Sequence, residues 1–264
     1  MLSLKIISTS LLPQYLEKVN GAALQAAFNQ LHDAELSTGT FSFYTSVSAI
    51  TSSRIEGEQM EVDSYLKHKM MHVEYEPNLV QKPDDLYQAY IFAQQNNLTA
   101  KKFLDAHRLI TNHLLPQAKR GILRAGNMVI MEHKTGRIQF EAAPAGEVAH
   151  LFELLWEDIE YLKTADLTCV ETFYFASFIH LAFVNIHPFE DGNGRAGRLL
   201  EKWFIAQKLG AKAWYLQSEL NYYTHVNSYY RNLNRLGVFY EQLDYSKAMP
   251  FLLMLAEALI GKKE

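Results

Sequence analysis

The stretch NIHPFEDGNGRAGR runs from Asn185 to Arg198, and six of its last seven residues are glycine, arginine or asparagine. It joins two helical patterns. ETFYFASFIHLAFVNIH, from Glu171, is apolar nearly all round, which predicts a helix at the centre of a core. His187-Pro188 ends it, because proline disfavours the helical conformation at the residue before it. Beyond the glycines, Leu199, Leu200, Trp203, Phe204 and Gln207 mark the inner stripe of a second helix.

Glycines at a helix start let backbone N–H groups converge on a ligand without Cβ interference. The orphan N–H groups and the positive end of the helix dipole favour an anion there. Gly192-Asn193-Gly194 therefore predicts a phosphate site. Arg195 and Arg198 share one face of the first turns, where guanidinium groups suit phosphate oxygens. Asp191 is a hard oxygen ligand beside a polyphosphate, which suggests Mg²⁺. His187, at the edge, is placed as a proton acceptor. GNGRAG also satisfies the dinucleotide-binding pattern G-x-G-x-x-G, but that pattern needs a preceding strand and a helix precedes it here. No G-x-x-x-x-G-K-[ST] occurs, so a Walker A loop is excluded.

Outward from the motif the chain reads as helical. Apolar spacing predicts helices over 14–36, 44–55, 84–97, 99–115 and 147–163, with Gly57 as a C-terminal signal and Thr99 as an N-cap. GNMVIMEHKTGRIQFEAA, residues 126–143, alternates weakly around His133-Lys134-Thr135-Gly136 and predicts a β-hairpin. From Leu220 to the end, two or three more helices are expected. The fold class is all-α with a small hairpin flap.

The 264 residues fit one compact core with appendages. A net charge of −4 gives no electrostatic case for nucleic acid or an anionic membrane. Cys169 is the sole cysteine, so disulfides do not hold the fold. The start has a short apolar run without a clear cleavage site, and no stretch approaches the ~20 apolar residues of a membrane span. The expectation is a soluble, cytoplasmic protein.

His187 to Arg198 resembles the Fic family signature, H-P-F-x-[DE]-G-N-G-R-x-x-R, at every fixed position. The resemblance extends over residues 80–235, with the hairpin similar to the family's flap. It implies transfer of AMP from ATP to a Ser, Thr or Tyr hydroxyl of a target protein, the chain itself being a candidate target. It implies that His187 takes the hydroxyl proton and Asp191 holds Mg²⁺. Gly192, Asn193 and Gly194 would form the anion hole, and Arg195 and Arg198 would hold phosphates, Arg198 reaching the γ-phosphate. Gly194 is where a kinase-like branch carries lysine, so its presence favours adenylyl transfer. The division implied is an N-terminal helical region over 1–80, with an inhibitory helix at about 44–57, a Fic core over 81–235 and a helical extension over 236–264.

TSSRIEGE, Thr51–Glu58, is by itself a helix end, with Ser52 and Glu56 as i,i+4 neighbours and Gly57 as cap. Beside the Fic motif it resembles the family's inhibitory pattern [ST]-x-x-x-E-[GN], as Ser52, Glu56 and Gly57. That implies a Glu56–Arg198 pair that takes Arg198 from the γ-phosphate, and both partners suit one fork geometry. The family also places a tyrosine pair near the adenine, here Tyr229 and Tyr230. A further family asparagine has no match, since Gly237 stands near its place.

His68 and His72 have a metal-ligand spacing but lack a third ligand nearby, so a solvated helix face is expected. His107, His113 and His180 read as satisfied structural histidines. Two further readings stay open: removal of AMP with Glu56 orienting water, and a regulatory protein that binds nucleotide without turnover. A homo-oligomer is compatible with the sequence.

Overall fold

The computed structural model describes residues 4–38, 41–131 and 138–261. Among them the chain forms α1 (Leu12–Lys18), α2 (Gly21–Asn29), α3 (Phe43–Ile55), α4 (Val62–Met71), α5 (Pro77–Gln94) and α6 (Ala100–Ile110). The strands β1 (Val129–Met131) and β2 (Ile138–Glu141) follow. Then come α7 (Val148–Thr164), α8 (Cys169–Ile186), α9 (Asn193–Leu209), α10 (Ser218–Thr224), α11 (Val226–Asn234) and α12 (Met249–Ile260). The all-α architecture with a two-stranded flap is as the apolar spacing predicts.

α8 is the axis of the core. Its start is fixed by a capping box, in which the Thr168 side chain accepts from Glu171 N and the Glu171 carboxylate accepts from Thr168 N. It packs against α9, α12, α7, α2 and α1, which is why apolar residues are needed on every side. By length and composition α8 could cross a membrane, contrary to the expectation that no segment comes close. Its residues are mostly buried inside the protein, the placement of a core helix.

Three boundaries differ from the spacing. The 14–36 pattern is two helices, because Val19 is extended and the Asn20 side chain starts α2 by accepting from Ala23 N. α5 begins at Pro77, with Pro83 accommodated inside it. α6 starts as expected, the Thr99 side chain accepting from Lys102 N, but ends at Ile110 rather than 115. The hairpin pairs Val129 with Glu141 and Ile130 with Phe140 in antiparallel register. Phe140 is buried, while Val129, Met131 and Ile138 face outward. Its expected turn, His133 to Gly136, lies outside the described residues. Glu141 N donates to Val238 O at 2.7 Å and ties the flap to the segment after α11.

Candidate active site

The loop between α8 and α9 is held by residues whose chemistry is internal. His187 takes the left-handed conformation, with φ 53° and ψ 60°, and turns the chain out of α8. Arg124, almost wholly buried, donates to four carbonyls: Nε to His187 O (2.7 Å), Nη1 to Gly126 O (2.7 Å), and Nη2 to Ala143 O (2.5 Å) and Ile186 O (3.3 Å). It therefore fastens the base of the flap to the loop. His107 stacks on Phe189 with ring centroids 3.6 Å apart. Gly121 N donates to its Nδ1, so its proton sits on Nε2 and is donated to Asp191 O at 2.9 Å. Burial pushes the His107 pKa down to about 4, which keeps that tautomer intact near neutrality.

Gly192 is the N-cap of α9, with φ 80°. A side chain there would be strained and would also meet Thr111 Cγ2 at 2.8 Å. The Asn193 side chain is committed to the loop, its Oδ1 accepting from Phe189 N at 2.9 Å and its Nδ2 donating to Phe189 O at 2.8 Å. Any part Asn193 takes in anion binding thus falls to its backbone N–H. The first N–H groups of α9 have no intrahelical acceptor, and Arg195 Nε is buried without a partner among the described residues. An anion would satisfy these donors together. Asp191 stands exposed at the rim with Oδ1 accepting from Gly192 N at 2.6 Å.

His187 Nδ1 lies 3.1 Å from Val184 O. A carbonyl only accepts, so the imidazole proton is on Nδ1 and Nε2 is the basic nitrogen. Burial pushes the His187 pKa below its ordinary value and the nearby Arg124 charge adds to this, outweighing the Val184 hydrogen bond and the carboxylates of Glu56 and Asp191.

α3 delivers the residues of TSSRIEGE to this site. Arg198 is fully buried; Nη2 donates to Glu56 Oε1 (2.6 Å) and Ser52 O (3.0 Å), Nε to Ser52 Oγ (2.8 Å) and Nη1 to Tyr229 Oη (3.2 Å). The Glu56 side chain is 27% exposed. Burial raises its pKa, but Arg198, then Arg195, pull harder and hold the carboxyl below its ordinary range. A Cβ on Gly194 would overlap Glu56 Oε1, so this glycine makes room for the carboxylate. Gly57, with φ 91°, turns the chain away after Glu56. Ser52, Glu56 and Arg198 thus lie together, the grouping that the resemblance of TSSRIEGE implies. Sequence reading missed Glu58, whose Oε1 accepts from Arg195 Nη2 (3.1 Å) and Lys82 Nζ (2.9 Å). The signal was there: a second acid follows the turn two residues after the first.

A cavity of about 500 Å³ opens between α3, the flap and α11, lined by Glu56, His187, Gly194, Arg198, Tyr229 and Tyr230 among others. Tyr229 is buried with its hydroxyl on Arg198 and His180, whereas Tyr230 is 41% exposed and donates to Ile55 O at 3.0 Å. Both therefore face the cavity, and Tyr230 also braces the end of α3. The other histidines are structural as expected: His113 pairs with Asp85 and His180 with Glu201. His68 bonds to Val73 O and Asp84, and no group of three or more metal-binding side chains occurs among the described residues.

Residues 97–205 match the Fic/DOC family. The chain is 31% identical over 121 residues to protein adenylyltransferase Fic of Drosophila erecta, and 30% identical over 119 residues to that of Drosophila persimilis. Each match covers 44% of this chain but only 22% and 21% of the relative, so the chain spans about a fifth of their length. Its structure is similar to a Fic family protein of Desulfovibrio desulfuricans G20, with a TM-score of 0.74 and 21% identity, over 96% of this chain and 72% of that one. It is also similar to a Fic domain containing signaling protein of Bacteroides thetaiotaomicron VPI-5482, with a TM-score of 0.64 and 17% identity, over 93% and 99% of the two chains.

Proposed function

From the premise that this chain is a Fic family protein, we propose that it transfers AMP from ATP to a Ser, Thr or Tyr hydroxyl of a target protein and that Glu56 holds it inactive. The observation that carries this reading is the shared cavity: an imidazole with Nε2 as its basic nitrogen, a helix N-terminus with unsatisfied donors, and a buried arginine occupied by a carboxylate. In the reaction the target oxygen bonds to the α-phosphorus, the bond to the β-phosphate oxygen breaks, and pyrophosphate leaves. The hydroxyl proton passes to His187 Nε2. The N–H groups at 193–195 and the Arg195 guanidinium hold the phosphates, and Tyr229 and Tyr230 border the base. Mg²⁺ is commonly bound by one or two carboxylates, substrate phosphates and water. Asp191, with one oxygen uncommitted among the described residues, fits that role; the ion would neutralise polyphosphate charge.

Incubation of wild-type and Glu56→Gly protein with ATP, Mg²⁺ and cell lysate tests this. Mass spectrometry should find AMP esters on side-chain hydroxyls, more of them with the variant. Binding of ATP with no modified protein in either sample would leave only a nucleotide-binding role.

The lowered His187 pKa gives a pH dependence. The base must be unprotonated, so activity persists on acidification until pH falls through that lowered value. The acid limb of kcat/KM in the Glu56→Gly variant is expected below the ordinary histidine value of about 6.5. A limb centred above about 7 would contradict this assignment.

The flap offers a strand edge to an extended target segment. Glu141 N points away from β1 toward Val238, so its cross-strand partner Val129 points its own N–H to the opposite, outer edge. Val129→Pro removes that outer donor and is expected to raise KM for protein substrates while ATP affinity holds. Equal loss of both would make the hairpin purely structural.

A further inference from the structure

Behind Arg198 lies a chain of buried groups that the transfer reaction does not touch. Arg198 Nη1 donates to Tyr229 Oη at 3.2 Å, and Tyr229 Oη lies 3.1 Å from His180 Nε2. His180 Nδ1 lies 2.9 Å from Glu201 Oε2, and Tyr222 Oη donates to both Glu201 oxygens at 3.0 and 2.9 Å. Arg198, His180, Glu201 and Tyr222 are 0% exposed and Tyr229 is 1%. Only Arg198 and Tyr229 border the cavity.

The protons in this chain run one way. A guanidinium only donates, so Tyr229 accepts from Arg198 and must spend its single O–H elsewhere. The acceptor in reach is His180 Nε2. The imidazole proton is then on Nδ1 and goes to Glu201, whose other hydrogen bond comes from Tyr222. A buried carboxylate is costly unless hydrogen bonds compensate it, and here His180 and Tyr222 donate to it. Hydrogen bonds aligned in this way polarise one another, so the negative end at Glu201 strengthens Tyr229 as an acceptor for Arg198.

The Arg198 guanidinium is thus held from two sides. Ser52 and Glu56 hold it from α3, the side that must release it. Tyr229 holds Nη1 from the core side, which has no reason to move. We infer that Glu201 and His180 are positioning residues that act through the Tyr229 hydroxyl to aim Arg198 at the terminal phosphate of a nucleoside triphosphate. The inference rests on the proposed function, in which Arg198 reaches that phosphate.

ADP lacks the terminal phosphate but shares everything else, so it separates aim from general damage. In a Glu56→Gly background, titration calorimetry with Mg²⁺ would compare ATP and ADP for Glu201→Gln, Tyr229→Phe and Arg198→Ala. Tyr229→Phe removes one oxygen and keeps the ring, so it serves if Glu201→Gln folds poorly. Tyr229→Phe and Glu201→Gln should each weaken ATP by about three- to tenfold, the size of one hydrogen bond, and leave ADP within about twofold. Combined, they should cost little more than either alone, because both act on one contact. Equal weakening of ATP and ADP, or no weakening of ATP, overturns the inference. Arg198→Ala locates the failure. If it weakens ATP selectively while the other two do not, the positioning role alone is wrong. If it also treats ATP and ADP alike, Arg198 does not read the terminal phosphate and both readings fall.

Discussion

Substitution of His187 by alanine should lower AMP transfer by about 10²–10⁴-fold, the usual loss on removing a general base, with little change in ATP affinity. The loop does not depend on the imidazole. The His187 carbonyl is held by Arg124 and its N–H bonds to Phe183 O at 3.0 Å. The proposed phosphate donors belong to the start of α9, fixed separately by Gly192 and the Asn193 side chain. Alanine accepts the left-handed conformation at a cost of about 1–2 kcal/mol, small against the number of contacts that hold the loop. Transfer rates and ATP titrations on the purified variant check this. Wild-type turnover would remove His187 from the chemistry, and loss of ATP affinity matching the loss of rate would make it a binding residue instead.

Removal of the Glu56 carboxylate acts in the opposite direction. Glu56→Gly should raise transfer, self-modification included, by at least about tenfold, equivalent to ~1.4 kcal/mol and modest for a charge-assisted pair at 2.6 Å. In an Arg198→Ala background the same change should add little, because the partner is gone. Glu56→Gly leaves Arg195 paired with Glu58, so Glu58→Gln on top of it should raise activity further, with Lys82 losing the shared carboxylate as well. The backbone tolerates glycine at the helix end, but among the described residues fully buried Arg198 is left with Ser52 and Tyr229 as hydrogen-bond partners. An uncompensated buried charge destabilises, and a phosphate can compensate it. ATP should therefore raise the Tm of Glu56→Gly more than that of wild type.

Sequence reading reached the helix–loop–helix around residues 185–198 because its signals are local: an all-apolar run, a proline, then glycines at a helix start. TSSRIEGE was legible for a different reason. Its pattern matched a known one, and the 142-residue separation of Glu56 and Arg198 leaves no local trace. Arg124 and the Glu201 chain were invisible because each acts only after folding brings distant carbonyls or side chains into reach, and of Glu58 the sequence shows a second acid beyond the Gly57 turn but not its partners Arg195 and Lys82. Val19 and Asn20 divided one apolar stripe into two helices because a side-chain cap outweighed the continuing periodicity. The reverse held at Pro77 and Pro83, where proline marked a helix start and was then tolerated within the same helix.

If Glu56 withholds Arg198 from a nucleotide that would otherwise donate AMP, removing its carboxylate must release AMP transfer and nothing else. The most direct measurement incubates wild-type, Glu56→Gly and Glu56→Gly/His187→Ala protein with Mg²⁺ and ATP labelled at either the α- or the γ-phosphate, then counts label on protein. Strong α-label incorporation is expected from Glu56→Gly, at least about tenfold over wild type, with no γ-label and loss of the signal in the double variant. A folded Glu56→Gly protein that binds ATP yet takes up and transfers no more α-label than wild type would contradict that role of Glu56.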